Sequence, residues 1–200
     1  MARPRTISDD DILQAARACF LESGPGVSTQ TIADQVGLSQ PALFKRFGSK
    51  QELMLRALMP PAEPAWLAQV RAGVDARPIQ DQLVEIALAA SRYFVEMTPA
   101  MMMLRASGIE PADLLGRYEV PPPARAMALL TQWFQQAIDT GRIRRVHANE
   151  MAVTFIGAIH GRCFLQHIAG AWLPSESIED SIRAHCEVLC LGMGLEERVT

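Results

Sequence analysis

The stretch from Ser28 to Lys50, STQTIADQVGLSQPALFKRFGSK, leaves this chain few folding options, because it encodes two short helices joined by a tight turn. Ser28 carries the hydroxyl of an N-cap, and Ile32, Ala33 and Val36 recur at helical spacing on one face. Gly37 supplies the positive φ that ends such a helix. Leu38 then fills the angle, Ser39 caps a second helix, and Pro41 falls in its first turn, where no backbone donor is lost. Leu43 and Phe47 form the buried side of that second helix, leaving Gln40, Ala42, Phe44, Lys45 and Arg46 partly outside. The spacing predicts a helix-turn-helix whose second helix is sized for the major groove of DNA. A plain αα-hairpin with a glycine turn gives the same pattern, so the distribution of charge has to separate the two readings.

That distribution is uneven. The only two lysines of the chain, Lys45 and Lys50, lie in or just after the second helix, accompanied by Arg46 and Arg56. Residues 39–56 hold these four basic side chains against one acid, Glu52, whereas residues 61–200 hold twelve basic and sixteen acidic ones. A basic patch on an otherwise acidic chain is the electrostatic footprint of a phosphate-binding face.

Residues 12–58, ILQAARACFLESGPGVSTQTIADQVGLSQPALFKRFGSKQELMLRAL, resemble the N-terminal DNA-binding domain of the tetracycline-repressor (TetR) family of bacterial regulators. The resemblance rests on the alanine-rich first helix ending in Phe20 and Gly24, on Thr31-Ile32-Ala33, and on Gly37-Leu38-Ser39. It continues through Leu43-Phe44-Lys45-Arg46-Phe47 to the start of a fourth helix at Ser49-Lys50 with Glu52-Leu53. It covers about a quarter of the chain. In that family the aromatic at the place of Phe44 is often tyrosine, with a hydroxyl that Phe44 lacks. Helix placement and the matching positions together imply that Gln40, Ala42 and Lys45 face base edges. Thr29, Ser39, Phe44 and Lys50 are then expected against the sugar-phosphate backbone.

Two hundred residues with 49% hydrophobic content suffice for one large or two small domains with a proper core. The run Met59-Pro60-Pro61-Ala62-Glu63-Pro64 cannot continue a helix and sets the expected junction between a helix-turn-helix domain, 1–59, and a second helical domain, 60–200. The expected fold is therefore all-α. With no apolar run long enough to cross a bilayer and no signal-peptide pattern before Ser8, a soluble, cytoplasmic protein is expected. Four cysteines without framework spacing fit reduced thiols. The arm MARPRTI, with Arg3 and Arg5, is either a minor-groove contact or a plain tail. Ser8 with Asp9, Asp10 and Asp11 caps the first helix, which runs to about Glu22.

Beyond the junction the helical period returns. Trp66, Val70 and Val74 indicate a short helix, and Ile79, Leu83, Ile86, Ala87, Ala90, Phe94 and Met97 a long one that Thr98-Pro99 is expected to end. Met101-Met102-Met103-Leu104 should begin another. Pro121-Pro122-Pro123 precedes a helix carrying Met127, Leu130, Phe134 and Ile138, stopped by Gly141. Residues 149–169, with Asn149 as N-cap, are apolar or small nearly all round and must be covered on all sides. The final helix starts at Ser177 with Asp180 in a capping-box arrangement. The TetR resemblance assigns the last two helices to a homodimer interface, here with Ile156, His160, Ile182, Cys186 and Leu189; closure of the monomer's own core is the alternative.

Chemistry-bearing clusters are sparse. His160, Cys163 and His167 fall at i, i+3 and i+7, with His185 and Cys186 on the next helix, but no paired metal-ligand motif is present, so neither metal nor cofactor is expected. No nucleophile elbow, phosphate-cradling loop or His-Glu-x-x-His supports an enzyme. The second domain is rich in soft apolar groups, which at helical spacing serve as plain core and, in a family whose members enclose effector pockets, as pocket wall. The expected wall is Phe94, Met97, Met101, Trp133, Phe134 and Phe164, with Tyr93, Arg105 or His160 as polar anchors. The reading is a regulator, most simply a repressor, that binds a double-stranded, palindromic operator as a homodimer and is released by a small hydrophobic effector. A constitutive or protein-regulated DNA-binding protein of the same fold is the alternative, and an all-helical enzyme ranks last.

Overall fold

The computed structural model describes residues 7–173 and 177–193; the arm carrying Arg3 and Arg5 lies outside the described residues. Among the described residues the regular structure is entirely helical. The helices are α1 (Asp9–Ser23), α2 (Thr29–Gln35), α3 (Gln40–Phe47), α4 (Lys50–Leu58), α5 (Leu67–Arg71), α6 (Ile79–Ala106), α7 (Pro111–Leu115), α8 (Pro122–Asp139), α9 (Ala148–Ala169) and α10 (Ile178–Gly192).

Two compact units emerge. The first comprises the chain up to Pro60 together with Pro99–Leu114, and the second comprises Pro61–Thr98 and the chain from Leu115 on. The first unit is built on serine caps. Ser8, Ser28, Ser39 and Ser49 each accept a hydrogen bond from the backbone N–H three residues on, which satisfies one orphan donor at the start of α1, α2, α3 and α4. Asp11 returns the bond at Ser8, completing a capping box. Gly37 (φ 68°) and Gly48 (φ 75°) take the left-handed conformation that ends α2 and α3. The caps fix where each helix begins, so the apolar stripes meet: Ile12, Ala16 and Phe20 of α1 are fully buried, as are Ile32 and Ala33 of α2 and Leu58 of α4. Leu43 and Phe47 are buried on the inner side of α3. From the later segment, the Ser107 hydroxyl lies 3.6 Å from the Met54 sulfur.

The second unit closes around aromatic side chains of α8 and α9. Trp133, Phe134 and Phe155 meet edge to face in sequence, with centroids 5.3 Å and 6.0 Å apart. Leu83, Ala87 and Ala90 of α6, Ile159 of α9, and Ile182 and Cys186 of α10 complete the same core.

Two expectations need correction. Thr98-Pro99 does not end a helix: α6 runs unbroken past Pro99 to Ala106. Pro99 removes one backbone bond, yet Ala100 and Leu104 just beyond it are buried, and burial outweighs a single missing N–H. The N-cap of α9 is His147 and makes no side-chain cap bond, so Asn149 lies inside the first turn.

Candidate nucleic-acid interface

Because α3 buries Leu43 and Phe47, its other positions turn outward. Lys45 and Arg46 are exposed, Phe44 is 37% exposed, and Gln40 and Ala42 are half-buried at the N-terminal end. Gln40 is not loose. Its Nε2 donates to the Thr29 hydroxyl at 2.6 Å, and Thr29 is itself buried, so the first turn of α3 is tied to the first turn of α2. With Nε2 engaged, the amide oxygen is the end of Gln40 available to an outside donor. Ser39 spends its hydroxyl on the cap, accepting from the N–H of Ala42.

The four basic side chains of this region separate into two pairs. Arg46 donates to the carbonyl of Ile7 at 2.8 Å and pairs with Asp9 at 3.4 Å. Arg56 reaches the same carboxylate at 3.8 Å and lies 4.8 Å over the Phe47 ring, a cation–π contact. Both arginines thus brace α1 against α3 and α4. Lys45 and Lys50 form no ion pair among the described residues, and their charge is the part of the patch left for an outside anion. Sequence reasoning missed this division. Asp9 was legible as a helix-start acid, but nothing local joins it to arginines 37 and 47 positions away.

Residues 12–57 match the family model of bacterial regulatory proteins of the tetR family. Over those residues the chain resembles the tetR family. The HTH-type transcriptional repressor BdcR of Escherichia coli is 33% identical over 95 residues, a match that takes in 46% of this chain and 47% of that protein. The chain therefore matches about half the length of that curated relative. The TetR fold extends further. A Mesorhizobium loti protein described as a TetR-family transcriptional regulator superposes with a TM-score of 0.74 at 20% identity, covering 92% of this chain and 95% of its own. The TetR-family regulator PfmR of Thermus thermophilus gives 0.62 at 22% identity, covering 94% and 99%.

The residues expected to line a pocket fall in both units. Trp133 and Phe134 are buried in the aromatic core and Phe94 packs against it, while Met97 is buried on α6. Phe94 also stacks on His160, with centroids 4.8 Å apart. Phe164 is 39% exposed, and Met101 belongs to the first unit, as does Arg105, which pairs with Glu110.

The residues expected at a dimer interface divide similarly. Ile182, Cys186 and Leu189 face the chain's own core, Ile156 is half-buried against it, and His160 is exposed. The large apolar side chains that α9 and α10 leave outside are others: Val153, Phe164, Leu165, Ile168, Val188 and Leu191. The reason is phase. On α10 the stripe at 182, 186 and 189 is the most hydrophobic and is taken by the monomer, so any second apolar face must stand beside it. His160 and His167 point outward and Cys163 inward, so the three do not form one ligand face; among the described residues no metal-binding cluster is formed. Among them, too, no helix is long and apolar enough to cross a membrane.

Proposed function

We propose that this chain is a DNA-binding transcriptional regulator that acts as a repressor, with α3 as the recognition helix. The observation that carries this reading is the outer side of α3: its inner face is buried and its first turn fixed, while Lys45 and Lys50 form no ion pair among the described residues. Such a helix presents its N-terminal residues to base edges and its flanking cations to phosphates. Gln40, Ala42 and Lys45 are the base-facing group, and Ser39, Phe44 and Lys50 the backbone-facing group. Thr29, being buried, acts through Gln40. The bound form is a homodimer on an inverted repeat, since one recognition helix makes too few contacts for tight binding. The exposed apolar side chains of α9 and α10 supply the pairing face.

A small, mostly apolar effector that favours one arrangement of the dimer would release the DNA. Phe94, Met97, Trp133, Phe134 and Phe164 are the groups proposed to receive it. A second reading, constitutive or protein-regulated binding, is favoured by the close edge-to-face packing of Trp133, Phe134 and Phe155.

Fluorescence anisotropy with duplexes tiled across the DNA upstream of the chain's own gene tests the proposal. Specific binding to an inverted repeat, weakening as salt rises, is expected. Binding of equal strength to every duplex, or none at low salt, would refute it. Release of DNA by hits from a thermal-shift screen of hydrophobic metabolites separates the effector reading from the constitutive one.

A further inference from the structure

The side-chain amide of Gln40 has two unlike ends, and the fold commits one of them. Nε2 donates to the Thr29 hydroxyl at 2.6 Å, a bond across 11 positions of chain that joins the first turn of α3 to the first turn of α2. Thr29 is 6% exposed, so its hydroxyl is turned to the protein and not to a phosphate. The platform beneath is firm: Ile32 and Ala33 of α2 are fully buried, and the Leu38 N–H donates to the Ala33 carbonyl at 2.9 Å across the turn. Oε1 is in a different position. It accepts no hydrogen bond among the described residues and stays open to solvent.

An unrestrained glutamine reads adenine with both ends of its amide, and by turning over it can equally donate to the oxygen of guanine or thymine. Holding Nε2 on Thr29 removes that freedom. The end shown outward is then the oxygen, an acceptor. Its partner in the major groove is an exocyclic amine, N6 of adenine or N4 of cytosine. The rest of the base-facing group cannot take this role, because Lys45 has donors only and Ala42 has no polar side-chain atom. A side chain already fixed in one rotamer also loses little entropy on meeting its base.

Resting on the regulator reading above, we propose that Thr29 is a positioning residue that sets the polarity of base readout: by holding Gln40, it makes that side chain an acceptor for an exocyclic base amine. Selection from a random duplex library, with the unsubstituted protein and with Gln40→Ala, identifies the base pair whose preference Gln40 sets. Single groups are then deleted from that pair, and affinity is read by anisotropy. One deletion removes the exocyclic amine (purine for adenine, pyrimidinone for cytosine), the other the exocyclic oxygen of the opposite base. Amine deletion should weaken binding about tenfold in the unsubstituted protein and less than about twofold in Gln40→Ala. Oxygen deletion should leave the unsubstituted protein within about twofold. Thr29→Val frees the amide to turn, so the two deletions should then cost alike, whereas Thr29→Ser, which keeps the hydroxyl, should restore the difference. A ratio between two deletions on one protein is blind to overall stability, and the salt slope should be the same in all of these proteins. A larger loss from oxygen deletion than from amine deletion in the unsubstituted protein overturns the proposal, and that comparison needs no variant at Thr29 to fold. A folded Thr29→Val protein that keeps the full ratio overturns it too, as does a selected sequence in which no pair depends on Gln40; both leave the regulator reading standing. A library in which no sequence is enriched overturns the regulator reading, and this proposal with it.

Discussion

Among the described residues Lys45 and Lys50 pair with no carboxylate, unlike Arg46 and Arg56, and substitution should read the difference. Lys50→Ala is expected to weaken all DNA sequences alike and to reduce the slope of log K against log salt by about one unit. Lys45→Ala should instead alter sequence preference, at a cost of about 1–3 kcal/mol on the preferred site, measured by anisotropy on a panel of single-base variants. If Lys50→Ala leaves the salt slope where it was, its phosphate contact does not exist. A charge count along residues 39–56 finds the basic patch but cannot divide it, because the division depends on Asp9, which folding alone brings to Arg46 and Arg56. The thiols give a second residue-scale expectation. Burial pushes Cys186 up to about 12 and Cys190 up to about 11, against an ordinary thiol value of 9.0. The folded state then holds protons that the unfolded chain releases. Their stabilising contribution is complete below about pH 9 and is lost as pH rises through the folded values, by up to about 1.4 kcal/mol per pH unit for each thiol. Denaturant midpoints measured from pH 8 to 11 should fall in that window, and fall less in Cys186→Ala measured against its own value at pH 8.

At the scale of helices, local signals were sufficient wherever a serine cap or a positive-φ glycine set the boundary, as at both ends of α2 and α3. They misled where tertiary burial overrode them. Pro99 reads as a helix stop, but α6 passes through it because Ala100 and Leu104 are needed inside. Pro99→Ala should therefore restore a donor for the carbonyl of Val95 and raise stability by about 1–3 kcal/mol, seen as a higher melting temperature. An unchanged or lower melting temperature would mean that the proline carries some other structural demand. Gly37→Ala should act in the opposite sense, costing about 1–2 kcal/mol, since nothing crowds the position and only its φ of 68° opposes a side chain. Helical phase was legible for α10 as a stripe, but not which partner the stripe meets. Ile182, Cys186 and Leu189 would suit a neighbouring subunit as well as a neighbouring helix, and only the arrangement of α6, α8 and α9 shows that the monomer uses them.

For the whole molecule, that choice makes dimerisation testable without confusion with unfolding. Val188→Glu or Leu191→Glu, on the outer side of α10, should yield folded monomers by light scattering and circular dichroism. Leu189→Glu should instead lose the fold, because a charge would enter the core. A protein that stays dimeric with both outer positions charged would place the pairing face elsewhere. The helix-turn-helix was legible because short-range spacing specifies it, whereas the edge-to-face packing of Trp133 and Phe134 on Phe155 joins two helices that no local pattern relates. Finally, a chain with two lysines, both beside α3, has every side-chain amine on one face. Amine-directed acylation therefore becomes a footprinting reagent for that face: apart from the backbone α-amine, each acetyl group removes a positive charge there and nowhere else. Bound DNA should shield both sites from the reagent, and prior acetylation should abolish binding while leaving the melting temperature unchanged.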